Sequence, residues 1–242
     1  MKKILINLRD NWIKYGFETL VVTVGILGAF ALDNWNEGRI ESALEEDYLI
    51  GIRQDLIADM DQVKTIIEFY IPPLNIIHML EPGFEKASSV LDIETTIKHD
   101  FDSLYSLSTI DTISFDFFRL FHRGRSFRPK KAAYNSLITD GKSHLLKNKV
   151  LSQKIQNLYD ESDPRISSLY ETIKERETIH SSTYSYEKFH WNYSTIMNSG
   201  NKKITADLAS FWEKTLYYCQ FMEASVIEMK TIIKEIDIEL EK

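Results

Sequence analysis

The stretch Thr19–Leu32, TLVVTVGILGAFAL, contains 14 consecutive residues without a charge, flanked by Glu18 and Asp33. At about 1.5 Å rise per residue this helix would be about 21 Å long, which is shorter than the roughly 30 Å hydrocarbon core of a bilayer. Three interpretations are therefore open: a buried core helix, a secretory signal peptide, or a transmembrane helix that oligomerises to shield its polar ends. Trp35 lies where interfacial aromatic residues are expected, which favours the membrane helix.

The two competing interpretations each conflict with a feature of the sequence. A signal peptide is supported by the basic start at Lys2 and Lys3 and by the small residues Ala29 and Ala31, but its basic region would be 18 residues long and would contain Asp10. A core helix does not account for the abrupt change from an all-round apolar run to an amphipathic stretch, with no proline or cap between them. We therefore expect the apolar helix to be retained as a membrane span.

The residues after the apolar run predict a long helical rod. Apolar positions between Ile40 and Tyr70 recur mostly at steps of three or four, until Pro72 and Pro73 interrupt the pattern. The N-terminal helix is thus expected to continue as one rod and to stop at these prolines.

A heptad pattern near the C-terminus predicts a second long helix. Its two apolar series are Trp212, Cys219, Val226, Ile233 and Leu240, and Leu208, Met222, Met229 and Ile236. Thr215 interrupts the second series. Such a pattern is typical of a coiled-coil-like seam, and we expect it to pack within the chain against the rod at 40–70, because each apolar stripe of a small bundle needs a partner.

The remaining pattern completes an all-α fold. Glycine and proline are scarce, at 9 and 5 residues, which favours helices over a turn-rich sheet. Shorter helices are predicted over 92–108, 131–140 with Gly141 as its cap, 145–160, and 164–190 opened by Asp163 and Pro164. The predicted architecture is an N-terminal transmembrane helix that continues into a long helix, followed by an α-helical bundle. Residues 1–35 form an amphipathic N-terminal segment with the transmembrane helix, and residues 36–242 form a helical soluble domain for sensing or interaction.

Two blocks of the sequence resemble a bacterial family of uncharacterised single-pass membrane proteins. Glu18–Arg39 contains a Glu, a Gly-containing apolar run and the Asn-Trp-Asn-Glu tail Asn34–Glu37, and Ala133–Asn148 is similar to the family's Tyr, Leu, Gly and Leu pattern. The resemblance implies an anchor in the bacterial inner membrane and a helical soluble region. The layout is also similar to the membrane effectors of Hailong-type antiphage systems, which implies an oligomeric ion channel controlled by a nucleotide oligomer.

The sequence predicts no enzyme site, cofactor site or metal site. The tripeptide Gly141, Lys142, Ser143 ends like a phosphate-binding loop, but Ser136 occupies the position where that motif needs a glycine. The six histidines show no metal-ligand spacing with carboxylates or cysteines. Cys219, the single cysteine, falls on an apolar heptad position that is typical of a core residue. We therefore expect a protein without catalytic residues.

A basic segment is the strongest candidate for ligand binding. Between Phe117 and Tyr159 there are ten Lys or Arg residues and one acid, Asp140, for a net charge of +9 in a chain of net charge -7. Phenylalanines lie between the basic residues, and this combination is typical of phosphate gripping and base stacking. The alternative is that these cations pair with the acidic rods or with anionic headgroups. The predicted ligand-binding residues are Arg119, Arg123, Arg125, Arg128, Lys130 and Lys131.

One face of the apolar helix is a candidate oligomer interface. Its residues, spaced by steps of four, three, four and four, are Glu18, Val22, Gly25, Ala29 and Asp33. The small pair Gly25 and Ala29 allows close helix approach, and acidic ends are easier to keep on a short span if they line a shared hydrated path. We expect a homo-oligomer with this face inward, as a cation-conducting pore. The alternative is a simple anchor whose acids reach the headgroups.

Two functions remain open at the level of the sequence. One is a membrane-anchored, homo-oligomeric channel gated by a nucleotide or oligonucleotide, as in antiphage defence. The other is an envelope scaffold or interaction protein with its helical domain outside the cytoplasm. Basic residues are concentrated before the span, with only Arg39 and Arg53 within about 20 residues after it, which favours the second orientation. A nucleotide sensor requires the soluble domain to face the cytoplasm.

Overall fold

The fold is helical in every regular element that the structure, a computed structural model, describes. The described residues are 12–79, 116–121, 124–198 and 201–241. Their α-helices are α1 (Trp12–Met79), α2 (Ala132–Thr139), α3 (Lys149–Asn157), α4 (Asp163–Thr183), α5 (Tyr193–Met197) and α6 (Lys202–Leu240). Short 3₁₀ helices span Phe117–Arg119, Ser143–Leu145 and Glu187–His190, and a π-helical turn at Leu158–Ser162 joins α3 to α4. The predicted all-α class is confirmed, whereas the predicted helix at 92–108 lies outside the described residues.

Helix α1 is a single rod of 68 residues, about 100 Å long at the standard rise. The prediction that Pro72 and Pro73 end it is wrong, because both lie inside the helix, which continues to Met79. Each proline removes one backbone donor, but the φ that its ring fixes is close to the helical value, so the helix resumes beyond the missing hydrogen bonds.

Helices α1, α4 and α6 form the main bundle. Arg53 Nε lies 2.6 Å from Asp237 Oδ1, and the rings of Tyr70 and Tyr218 are 6.0 Å apart, so α1 and α6 run antiparallel. The core of this contact includes Ile52, Leu56, Val63, Cys219, Met222, Met229 and Ile236, all buried. The prediction that the C-terminal seam packs against the rod within the chain is confirmed.

Of the shorter helices, α2 packs beside α1 and α3 packs against α6. Tyr48 Oη donates to Asp140 Oδ2 at 3.1 Å, and a Cβ added at Gly51 would lie 2.9 Å from the Cβ of Ala133. The two backbones therefore approach so closely that α1 needs a glycine at this position. Gly141 has a φ of +67° after α2, as expected of the predicted glycine cap.

Two predicted helix boundaries are corrected. Helix α3 begins at Lys149 and not at 145, because the Asn148 side chain accepts a hydrogen bond from Leu151 N at 3.1 Å and caps the helix there. Helix α4 ends at Thr183 and not at 190. Its last residues are Ser181, Ser182 and Thr183, whose hydroxyls compete for backbone groups and disfavour continuation.

The apolar run at the start of α1 is not covered by any other part of the chain that the structure describes. The part of α1 at Gly16–Pro73 is long and apolar enough to cross a membrane. Its most apolar 18-residue stretch is not buried against any other described residue. Side chains such as Leu27 and Phe30 are 62% exposed. The five residues of the predicted pore face, Glu18, Val22, Gly25, Ala29 and Asp33, are also exposed.

The close approach at Gly51 leads to a stability prediction. Gly51→Val places two methyl groups against Ala133, so α1 and α2 must separate, at a cost of about 1–3 kcal/mol. The matched control is Gly38→Val in the same helix, where an added Cβ meets no atom within 4 Å. Urea unfolding followed by circular dichroism should show a lower midpoint for the first variant only. Equal midpoints for the two variants would contradict the packing argument.

Candidate functional site

Part of the basic segment, residues 124–131, forms an extended strap that has no regular secondary structure. A partly buried strap without regular structure must find hydrogen-bond partners for its backbone outside itself. Its acceptors are side chains of the bundle: Gly124 N donates to Glu177 Oε2 at 2.7 Å, and Lys130 N donates to Asp59 Oδ1 at 2.9 Å. These two carboxyl groups hold the strap at its two ends.

Tyrosine hydroxyls hold the middle of the strap. Tyr218 Oη accepts from Phe127 N at 2.7 Å and donates to the Arg125 carbonyl oxygen at 3.1 Å. Tyr70 Oη accepts from Arg125 N at 3.1 Å, and Tyr170 Oη donates to the Gly124 carbonyl oxygen at 3.1 Å. The strap is therefore bound to α1, α4 and α6 together.

The strap turns most of its basic side chains to solvent. Arg125, Arg128 and Lys130 are exposed, as is Arg119 just before the strap. The guanidinium carbons of Arg119 and Arg125 lie 5.7 and 4.9 Å from the centre of the Phe69 ring, so both converge on one aromatic side chain. Within the described residues, no carboxylate lies within ion-pair distance of these four cations.

Two of the predicted ligand-binding residues are placed differently. Lys131 points inward: its Nζ donates to the Tyr159 carbonyl oxygen at 2.6 Å and lies 3.5 Å from Asp163 Oδ2. Arg123 lies outside the described residues. Farther along the chain, Lys147 pairs with Glu45 and Lys154 pairs with Glu235. The basic segment therefore contains both ion-paired lysines and cations without a carboxylate partner among the described residues.

Two clefts lie on either side of Gly124. The first has a volume of about 460 Å³ and lies between α1 and the strap, lined by Gln62, Thr65 and Arg125 among others. The second has a volume of about 750 Å³ and lies beside α4, where Glu177 and Lys188 contribute to its wall. Both include Gly124 and Tyr170, so they adjoin.

The second cleft contains two buried charged groups. Glu177 is 4% exposed, and burial raises its pKa to about 7, although the Gly124 N–H and the charge of Lys188 act in the opposite direction. Its Oε1 accepts no hydrogen bond from any described residue. Lys188 is 3% exposed, donates to Ser181 Oγ at 3.2 Å, and has its pKa lowered by burial.

Sequence reasoning missed Glu177 and Lys188. Glu177 occupies an apolar position in the stripe of α4, between the buried Ile173 and His180. A carboxylate on such a stripe is a signal that the pattern did contain. Lys188 gives no such signal, because it comes after the helix and is buried by the 3₁₀ turn at Glu187–His190.

The buried carboxyl of Glu177 predicts a pH-dependent stability. The folded protein keeps a proton on Glu177 up to about pH 7, whereas the unfolded chain releases it near the ordinary pKa of 4.5. The folded state therefore binds more protons in this interval, and the free energy of unfolding falls as pH rises through it. Glu177→Gln keeps an oxygen for Gly124 N and removes the charge, so the fall should become smaller. It should not vanish, because burial also raises the pKa of Asp59 to about 7 and that of Asp163 to about 6.

Urea unfolding at several pH values in this interval measures the effect. The matched control is Glu175→Gln, an exposed residue of the same helix, which should keep the wild-type pH dependence. If all three proteins show the same slope, Glu177 is not buried as a neutral acid.

No protein-family model, curated protein or solved structure matches the chain. The resemblance of Glu18–Arg39 and Ala133–Asn148 to single-pass membrane proteins therefore stays a prediction from the sequence. The function has to be argued from the strap, the two clefts and the uncovered apolar run.

Proposed function

We propose that the protein is a membrane-anchored homo-oligomeric effector whose apolar helix forms a pore and whose strap binds a phosphate-bearing ligand, namely an oligonucleotide. The observation that carries the proposal is the set of exposed cations on the strap and just before it. Arg119, Arg125, Arg128 and Lys130 are exposed and have no carboxylate partner among the described residues, although the chain as a whole is acidic. Such an effector would suit antiphage defence.

The geometry of the strap supports binding of several phosphates. Its backbone is fixed by Asp59, Glu177 and Tyr218, so the arginines project from a defined support and lose less freedom when a ligand binds. Guanidinium groups bind phosphate oxygens with two parallel hydrogen bonds. Phe69, which lies under Arg119 and Arg125, adds an aromatic surface of the kind that binds unpaired bases.

The uncovered apolar run supports the membrane anchor. An apolar surface of this size needs a cover other than water, and the described part of the protomer supplies none. Lipid and neighbouring copies of the helix would supply it. Within the run, Gly25 and Ala29 lie on one face between the acidic ends Glu18 and Asp33, which suits close packing around a hydrated path.

Helix α1 supplies the connection between ligand and pore. Asp59, Gln62 and Tyr70 of this helix accept hydrogen bonds from the strap, and the apolar run belongs to the same helix. A ligand that binds one position of the strap more tightly than another therefore biases the position of α1 by that difference in affinity. The pore would be controlled in this way.

A second candidate is an envelope scaffold with its helical domain outside the cytoplasm. The excess of basic residues before the span favours it. Labelling of surface lysines within 117–159 in intact cells distinguishes the two, because only an outward-facing domain reacts.

The first functional prediction concerns the strap. The double variant Arg125→Glu, Arg128→Glu should lower the affinity for a fluorescent single-stranded oligonucleotide by at least about tenfold at low salt, because it reverses two phosphate contacts. Wild-type affinity should also fall steeply with salt, and the variant should show a shallower dependence. Fluorescence anisotropy with the full chain in detergent measures both.

The control for net charge is the double variant Lys230→Glu, Lys234→Glu, which makes the same change in net charge at exposed positions of α6. This variant should bind nearly as the wild type does. In proteoliposomes, the strap variant should conduct ions without response to the oligonucleotide. Binding by the strap variant as tight as that of the wild type would leave the strap with a structural role only.

The second functional prediction concerns assembly. Gly25→Leu places a large side chain on the small face and should reduce the oligomer to smaller species. Gly28→Leu is the matched control, because Gly28 is also exposed in the apolar run but lies about 100° from the centre of that face. Gel filtration with light scattering in detergent compares the two, and an unchanged oligomer in both variants would refute the predicted interface.

A further inference from the structure

The second cleft, beside α4, is lined by two buried charged side chains, which is uncommon in folded proteins. It places the buried carboxyl of Glu177 and the buried ammonium of Lys188 in one cleft of about 750 Å³. Glu177 uses one oxygen to hold the strap at Gly124 N. The other oxygen, Oε1, receives no donor from the described residues.

An unpaired carboxylate oxygen in such a position, once Glu177 is ionised, is an acceptor for a ligand. Buried acceptors in folded proteins are almost always paired, and an unpaired one is unfavourable. The hydroxyls of Thr178, Ser181 and Ser182 also line the cleft, but none of them donates to Oε1. A ligand that brings an N–H into the cleft would satisfy it.

Aromatic rings form the edge of the cleft. Phe118 lines it and is 38% exposed. Phe189 is 72% exposed and lies against Phe118, with ring centroids 5.2 Å apart at 38°. The Lys188 Nζ lies over the Phe118 ring, 5.1 Å from its centroid, and Lys174 also lines the cleft. Two exposed phenylalanines in contact next to such cations are typical of a stacking platform for an unpaired base.

We propose that the second cleft holds one nucleobase of the ligand, with an exocyclic amino group donating to Glu177 Oε1 and a ring face against Phe118 and Phe189. The inference rests on the proposed function, because it takes the phosphates to be bound by the strap. The two clefts adjoin at Gly124 and Tyr170, so a nucleotide with phosphates at Arg125 can extend its base into the second cleft. The site therefore selects bases that carry an amino group.

Oligo-dC and oligo-dU of equal length provide the test, because cytosine presents an amino donor where uracil presents a carbonyl acceptor. At pH 8, above the pKa of about 7 that burial gives Glu177, the full chain in detergent should bind oligo-dC at least about fivefold more tightly than oligo-dU, as expected for a hydrogen bond to a charged acceptor. In Glu177→Gln the amide carbonyl keeps the bond to Gly124 N and its NH₂ faces the ligand. The preference for oligo-dC should then disappear or reverse.

Two further variants serve as a control for Glu177→Gln and as a separate test of base stacking. Glu175→Gln, exposed on the same helix, should keep the wild-type preference. Phe189→Ala removes an exposed ring without opening the core, and should weaken binding of both oligonucleotides by about fivefold or more through lost stacking.

The outcomes separate the two proposals. If neither oligonucleotide binds the wild type at low salt, the proposed function fails and the base site fails with it. If both bind equally and the Arg125→Glu, Arg128→Glu variant binds neither, the strap function stands and the base site is overturned. A preference for oligo-dC that Glu177→Gln leaves unchanged also overturns it.

Discussion

The strap at residues 124–131 has no helix or strand of its own to pair its backbone N–H groups, and this constraint organises the bundle around it. Three helices each place a polar side chain in an otherwise apolar contact region: Asp59 on α1, Glu177 on α4 and Tyr218 on α6. All three are buried. Buried polar groups of this kind are unfavourable unless they are paired, so the strap stabilises the bundle by pairing them as much as the bundle fixes the strap.

The continuous helix α1 connects the strap with the apolar run. Between Leu32, at the end of the apolar run, and Asp59, at the strap, lie about 40 Å of uninterrupted helix. A helix transmits displacement along its axis because its backbone hydrogen bonds are internal. The antiparallel contact with α6, tied by Arg53 to Asp237, supports the half of α1 that carries the strap and leaves the apolar half without cover. One helix thus has two environments, and their boundary lies near Leu49, the first buried residue of the core.

The sequence predicted the features that depend on local periodicity. The seam of α6 against α1 followed from heptads such as Cys219, Met222 and Met229, and the cap at Gly141 followed from the need for a positive φ. The continuation through Pro72 was not predictable in this way, because a proline removes a donor without forcing the helix to end. The second cleft was even harder to predict from the sequence, since it brings together Phe118, Glu177 and Lys188 from three separate segments. Only the carboxylate on the apolar stripe of α4 gave a local indication of it.

The way the core carboxylates bind the strap explains why this basic segment keeps a positive electrostatic potential in an acidic protein. The sequence left open whether the acidic rods neutralise the basic segment by ion pairs. At Lys131 they do, through Asp163. At Lys130, Asp59 instead accepts from the backbone N–H of the residue, and the exposed ammonium group forms no ion pair with any residue that the structure describes. A backbone N–H carries no net charge, so an acid that binds it holds the strap in place without using up a cation. The carboxylates of the core therefore position the basic side chains and leave their charges available to a phosphate-bearing ligand at the surface.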